Sequence, residues 1–201
     1  MDSGFDLADR TGQGNGWQPR LAAWRPGIAA APGRPPRWMR ALLAERGSLT
    51  ARLERLGPVR VDVLRQGRQR PTLDEAVALG LPLGRHAWLR EVVLACEGNA
   101  RVYARSLAPH RLPGPGQQLS RLGERPLGRL LFSAPDVERG PVAVARLRGH
   151  EPLARWLCGY GLTPVRDAWA RRSTLSARGR SILITEVFFP WSTVREEDAI
   201  R

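Results

Sequence analysis

The chain has 201 residues, 42% of them hydrophobic, and a formal net charge of +13. This suits one domain with a sizeable core, and no apolar run approaches the roughly 18 residues that span a bilayer. Cys96 and Cys158 make no disulfide framework and lack metal-ligand spacing. The first residues carry no basic-then-apolar signal pattern, so the expectation is a soluble, cytoplasmic chain. The 32 basic residues against 19 acidic ones raise the possibility of a nucleic-acid surface. They are scattered arginines without interleaved aromatics, so no nucleic-acid partner is expected.

Residues 1–35 are rich in Gly, Pro, Ala and Arg. They read as a flexible arm that Trp17 and Trp24 lay across the domain. Helical spacing follows in "RWMRALLAERGSLTARLERLG", with Trp38, Leu42 and Leu43 on one stripe and Leu49, Leu53 and Leu56 on the next. Gly47 ends the first helix and Ser48 caps the second. Leu49 then sits in a first helical turn, where its N–H has no partner within the helix.

"PVRVDVLRQ" alternates as a strand with one wet face, and "TLDEAVALGLPL" fits a short helix or a loop. "HAWLREVVLACEGNARVYARSLAP" is a hairpin turning at "EGN". "LSRLGERPLGRLLFS" predicts two short helices parted at Gly123. Pro126 at the start of the second leaves Leu127 with another free N–H. "GPVAVARLRG" predicts a strand, "EPLARWLCGYGL" a helix, and "AWARRSTLSARGRSILITEVFFP" a second long hairpin turning near "ARGR". The polar residues 191–201 read as a frayed tail. Helices early and hairpins late argue for an α+β fold with a largely antiparallel sheet.

Two charges break apolar strand faces. In the first hairpin Arg90 shares a face with Trp88, Val92 and Leu94. In "SILITEVFFP" Glu186 shares one with Ile182, Ile184 and Phe188. A buried guanidinium keeps its charge and needs an anion. Two readings stay open: an Arg90–Glu186 ion pair, or a pocket with a cation at one end and a carboxylate at the other. The free N–H groups of Leu49 and Leu127 suit an anion. The three histidines are far apart in sequence, and neither a glycine-rich nucleotide loop nor a zinc signature is present. Arg171 and Arg172 alternate, so one faces inward.

At "WLREVVL", "SLAP", "LGERPLGRLLF" and "WARRSTLSARGRSILITEVFFP" the chain resembles the chorismate lyase family, over roughly residues 36–190. The resemblance implies an antiparallel sheet of about six strands with helices packed on it, a buried ligand cavity and no cofactor. It also implies chorismate as the small-molecule partner, 4-hydroxybenzoate and pyruvate as products, and a monomer. It places the catalytic arginine at Arg90 and the catalytic carboxylate at Glu186. The backbone contacts to the ring carboxylate fall on Leu49 and Leu127. Arg105, and Arg171 or Arg172, are candidates for the enolpyruvyl carboxylate. The alternatives are a non-catalytic effector domain of the same fold and a basic nucleic-acid-binding protein.

Overall fold

The computed structural model describes residues 20–110, 115–128, 137–162, 167–177 and 180–189. Trp17, the tail at 191–201 and the tip of the second hairpin lie outside them. Among the described residues one antiparallel sheet of eight strands dominates. The strands are β1 (Arg25–Pro26), β2 (Val59–Gln69), β3 (Ala87–Cys96), β4 (Asn99–Pro109), β5 (Glu138–Arg139), β6 (Ala143–Leu147), β7 (Ala168–Ala177) and β8 (Arg180–Phe188). Their order is β1-β6-β7-β8-β4-β3-β2, with β5 beside β7. The expected number was about six. The two extra strands, β1 and β5, are two residues each, too short for alternation to reveal.

Both sheet faces are covered, which is why β3 and β8 show no wet face. On one face lie α1 (Arg37–Ala44), α2 (Leu49–Glu54) and α4 (Pro115–Ser120). Leu42, Leu43, Leu49 and Leu53 pack there against Val61, Val92, Leu94 and Phe188. Leu119, Leu122 and Leu127 pack against Ile182 and Ile184. On the other face lie α3 (Leu73–Ala78) and α5 (Pro152–Gly159), with Leu153, Ala154 and Leu157 against Tyr103, Ala170 and Val187.

Local chemistry sets the element ends. Ser48 caps α2 by accepting from the Ala51 N–H at 3.2 Å. α1 stops at Ala44, three residues before the expected glycine, and Glu45 Oε1 takes the Gly47 N–H. The ambiguous "TLDEAVALG" is helix α3, fixed by a capping box between Thr72 and Glu75. The β3–β4 turn places Glu97 and Gly98 at φ 51° and 75°, the primed geometry that suits a two-residue hairpin. A register shift between Leu94 and Ala95 follows in β3.

Of the expected arm, residues 20–35 are described, and they lie against the domain. Leu21 and Ala22 are buried against Leu153 and its neighbours, and β1 hydrogen-bonds to β6. The arginine-rich composition hid two apolar residues that the core uses. No helix of the described residues is long and apolar enough to cross a membrane.

Candidate functional site

One cavity opens between the sheet and the starts of two helical segments. Its walls include Leu49 and Thr50 from α2, Leu127 and Gly128 from the turn after Pro126, and Arg90, Ser106, Ile184 and Glu186 from the sheet. Leu49 and Leu127 are each the first helical residue of their segment, as the capping pattern predicts. Of the residues expected at the site, Leu49, Arg90, Leu127 and Glu186 meet here.

Register explains the arrangement. Arg90 stands opposite Ser106, and Ser106 opposite Ile184. Glu186 is two residues further along β8. Two strand spacings of about 4.8 Å and two residues of about 3.4 Å put the Arg90 and Glu186 Cα atoms about 12 Å apart. The two charges therefore occupy separate parts of one cavity.

Arg90 is 2% exposed. Its Nη2 donates to the carbonyls of Gly123 at 2.8 Å and Arg125 at 3.1 Å. Its Nε is buried without a partner, and among the described residues it makes no ion pair. Burial pushes its pKa down to about 10. Glu186 is bound instead to Arg171, its register partner on β7, through Nε at 2.5 Å. Arg171 is fully buried, and its Nη1 also donates to the Leu42 and Glu45 carbonyls. The direct Arg90–Glu186 ion pair is thus not formed, because Glu186 has a nearer cation.

Arg105 is a correction. It lies on the opposite face of the sheet from the cavity, 1% exposed. Its Nε and Nη2 bond both carboxylate oxygens of Glu75, and its Nη1 donates to Glu91 at 2.8 Å. Glu91 also accepts from the Tyr103 and Tyr160 hydroxyls. The Trp156 ring covers the guanidinium at 4.6 Å. The physical reason is strand alternation: Ala104 and Ser106 line the cavity, so the residue between them points away. Burial opposes the Glu75 charge, but Arg105 outweighs it and holds that carboxyl below its usual value. Arg172 shares this far face and pairs with Asp74.

The sequence reading missed Arg139 as a cavity residue. It sits on two-residue β5, where no periodicity exists to read. Glu91 and Glu75 were also missed, although Glu91 breaks an apolar strand face just as Arg90 does.

The architecture is that of a domain with a cavity between its sheet and two helix starts, with a buried arginine in the cavity wall. Among solved structures it is similar to the effector domain of PhnF from Mycobacterium smegmatis, with TM-score 0.53 and 15% identity over 71% of this chain and 88% of that one. It is also similar to the C-terminal domain of the histidine utilization repressor from Pseudomonas syringae pv. tomato, with TM-score 0.51 and 13% identity over 69% and 95%. At such identities the likeness is one of fold. Sequence goes further. The chorismate lyase family model matches residues 24–197. The probable chorismate pyruvate-lyase of Halorhodospira halophila is 70% identical over 174 residues, which cover 87% of this chain and 93% of that protein. The one from Chromohalobacter salexigens is 43% identical, over 82% and 87%. The chain belongs to the chorismate lyase family.

Proposed function

We propose that the chain removes pyruvate from chorismate and leaves 4-hydroxybenzoate, the aromatic precursor of ubiquinone. Family membership supports the reaction. The observation that carries the site is Arg90: a buried guanidinium in a cavity, with no acid paired to it among the described residues. A ligand carboxylate supplies the missing anion.

In this reading Arg90 and the N–H groups of Leu49 and Leu127 hold the ring carboxylate. Glu186, across the cavity, accepts a hydrogen bond from the 4-hydroxyl. The hydrogen on C4 leaves and the C3–O bond breaks, so the ring becomes aromatic. The released enolpyruvate gains that proton at its methylene carbon and becomes pyruvate. Glu186 is the carboxylate placed to handle this proton, and Arg171 fixes its orientation. Aromatisation supplies the driving force, so the protein's task is geometry and proton handling. The chain acts as a cytoplasmic monomer, which light scattering checks.

The likeness to regulator effector domains favours one competing reading, binding without chemistry. Mixing the purified chain with chorismate separates the two. The lyase reading expects pyruvate and 4-hydroxybenzoate in equal amounts; the competitor expects bound ligand and no pyruvate.

A further inference from the structure

The floor of the cavity is made of two rows of sheet residues. Arg90, Ser106 and Ile184 form one row across β3, β4 and β8, and Val92, Ala104 and Glu186 form the next. The rows lie two residues apart along the strands, about 6.8 Å. That spacing suits a para-substituted ring with its carboxylate on the first row and its hydroxyl on the second. On the first row Ile184 is apolar and Arg90 already has its role, which leaves Ser106.

Ser106 is 3% exposed and faces the cavity. Its hydroxyl has no hydrogen-bond partner among the described residues. A buried hydroxyl without a partner costs free energy, and alanine would fill the same place in the strand without that cost. The Cα atoms of Ser106 and Arg90, opposite each other in the β3–β4 register, stand about 5 Å apart. Gly123 and Arg125, whose carbonyls hold Arg90, belong to the segment whose Leu122 and Leu127 pack with Ala108 of β4 and Ile184 of β8. The guanidinium is thereby drawn from β3 toward β4, the strand that carries Ser106.

The way Arg90 is held leaves room for a further donor. Both two-pronged edges of a guanidinium include Nη2. In Arg90 this nitrogen already donates to two carbonyls. Arg90 therefore gives a carboxylate single contacts and not a paired one. An ionised carboxylate accepts at about four positions. Arg90 and the Leu49 and Leu127 N–H groups do not fill them all.

We infer that the Ser106 hydroxyl donates to the ring carboxylate and completes its hydrogen bonding. This rests on the chorismate lyase reading. Thr50, also on the cavity wall, lies beside Gly128 on the side that the two N–H groups serve. Ser106 instead approaches from the floor. Donors on two sides hold the carboxylate in one orientation and so direct the ring toward Glu186.

The test compares Ser106→Ala and Ser106→Thr with the unmodified chain. Calorimetry gives Kd for 4-hydroxybenzoate. Displacement of that ligand gives Kd for 4-methylphenol, which keeps the ring and hydroxyl but lacks the carboxylate. Losing a hydrogen bond to a charged group predicts 4-hydroxybenzoate binding weakened about 10- to 100-fold in Ser106→Ala. The Kd for 4-methylphenol should stay within about 2-fold. Substrate and product share the ring carboxylate, so kcat/KM for chorismate should fall by the same factor as product binding. Ser106→Thr keeps the hydroxyl and should bind 4-hydroxybenzoate within about 5-fold of the unmodified chain. Should Ser106→Ala not fold, Ser106→Cys carries the same expectation, since a thiol is a weak donor. Equal weakening of both ligands would overturn the inference, because Ser106 would then only shape the floor. An unchanged Kd for 4-hydroxybenzoate would overturn it too. If the unmodified chain binds 4-hydroxybenzoate yet releases no pyruvate from chorismate, the lyase reading fails, and the two affinities still decide the role of Ser106.

Discussion

Glu186 is held by Arg171, its register partner on the neighbouring strand, while Arg90, in the same cavity, meets two backbone carbonyls and no acid among the described residues. Among the described residues, Glu186 has its counter-cation and Arg90 has no counter-anion. In the proposed reading this imbalance is what draws an anionic ligand into the cavity. In that reading the two residues differ in role: Arg90 answers to the ligand, while Glu186 is preset by the fold.

The first prediction concerns Arg90→Met. A buried charge without a paired anion opposes folding, and hydrophobic replacement of buried charges is often neutral or stabilising by about 1–4 kcal/mol. The variant should melt no lower than the unmodified chain yet release no pyruvate. Thermal unfolding and a coupled pyruvate assay check this. A large loss of stability would show that Arg90 is structural.

The same residue sets a pH dependence. Burial lowers the Arg90 pKa to about 10, and a bound carboxylate raises it again. Binding then takes up a proton at pH values above about 10, and is insensitive to Arg90 below that. Affinity for benzoate, which has no phenol to titrate, should fall about tenfold per pH unit once pH exceeds 10. A flat profile to pH 11 contradicts the assignment.

Glu186→Gln should lose both chemistry and stability. It leaves Arg171 buried without its counter-charge, which costs about 3–5 kcal/mol when a buried pair is broken. Loss of a positioned proton-handling group lowers kcat by about 10²- to 10⁴-fold. Urea unfolding and pyruvate release below the melting range measure the two effects separately.

Arg105→Met should act on the fold. Glu75 and Glu91 would remain as buried carboxylates without their cation, at a cost of about 3 kcal/mol or more. Glu75 also links stability to pH: its folded pKa is depressed, so its contribution is present above the unfolded value and lost as pH falls through the folded one. Glu75→Gln should therefore flatten the acid side of the stability curve. Chorismate KM for whatever fraction of Arg105→Met folds should be unchanged; a raised KM would return Arg105 to the site.

Gly128 brings the two helix starts together. A Cβ there would fall 2.5 Å from Ser48 Oγ, the atom that caps α2. Gly128→Ala should disturb that cap, worth about 1 kcal/mol. It should also part the Leu49 and Leu127 N–H groups. We expect weaker 4-hydroxybenzoate binding by calorimetry, by about tenfold. Unchanged affinity would mean that those N–H groups do not converge on the ligand.

Much of this was legible before the structure. Alternation alone exposed Arg90 and Glu186, because β3 and β8 are long and covered on both faces. Capping chemistry located Leu49 and Leu127. Register was not legible. A two-residue turn at Glu97 and Gly98, counted without interruption, would set Arg105 opposite Arg90 on the cavity face. The shift between Leu94 and Ala95 moves Arg105 opposite Glu91 instead. A slip of one residue changes every later facing. Arg139 was hidden for another reason: a two-residue strand has no pattern to read.

The most direct measurement follows pyruvate from chorismate with the unmodified chain, Arg90→Met and Glu186→Gln side by side, each confirmed folded. The account predicts stoichiometric pyruvate and 4-hydroxybenzoate from the first, and a loss of at least about 100-fold in each variant. Full turnover in both folded variants would contradict it.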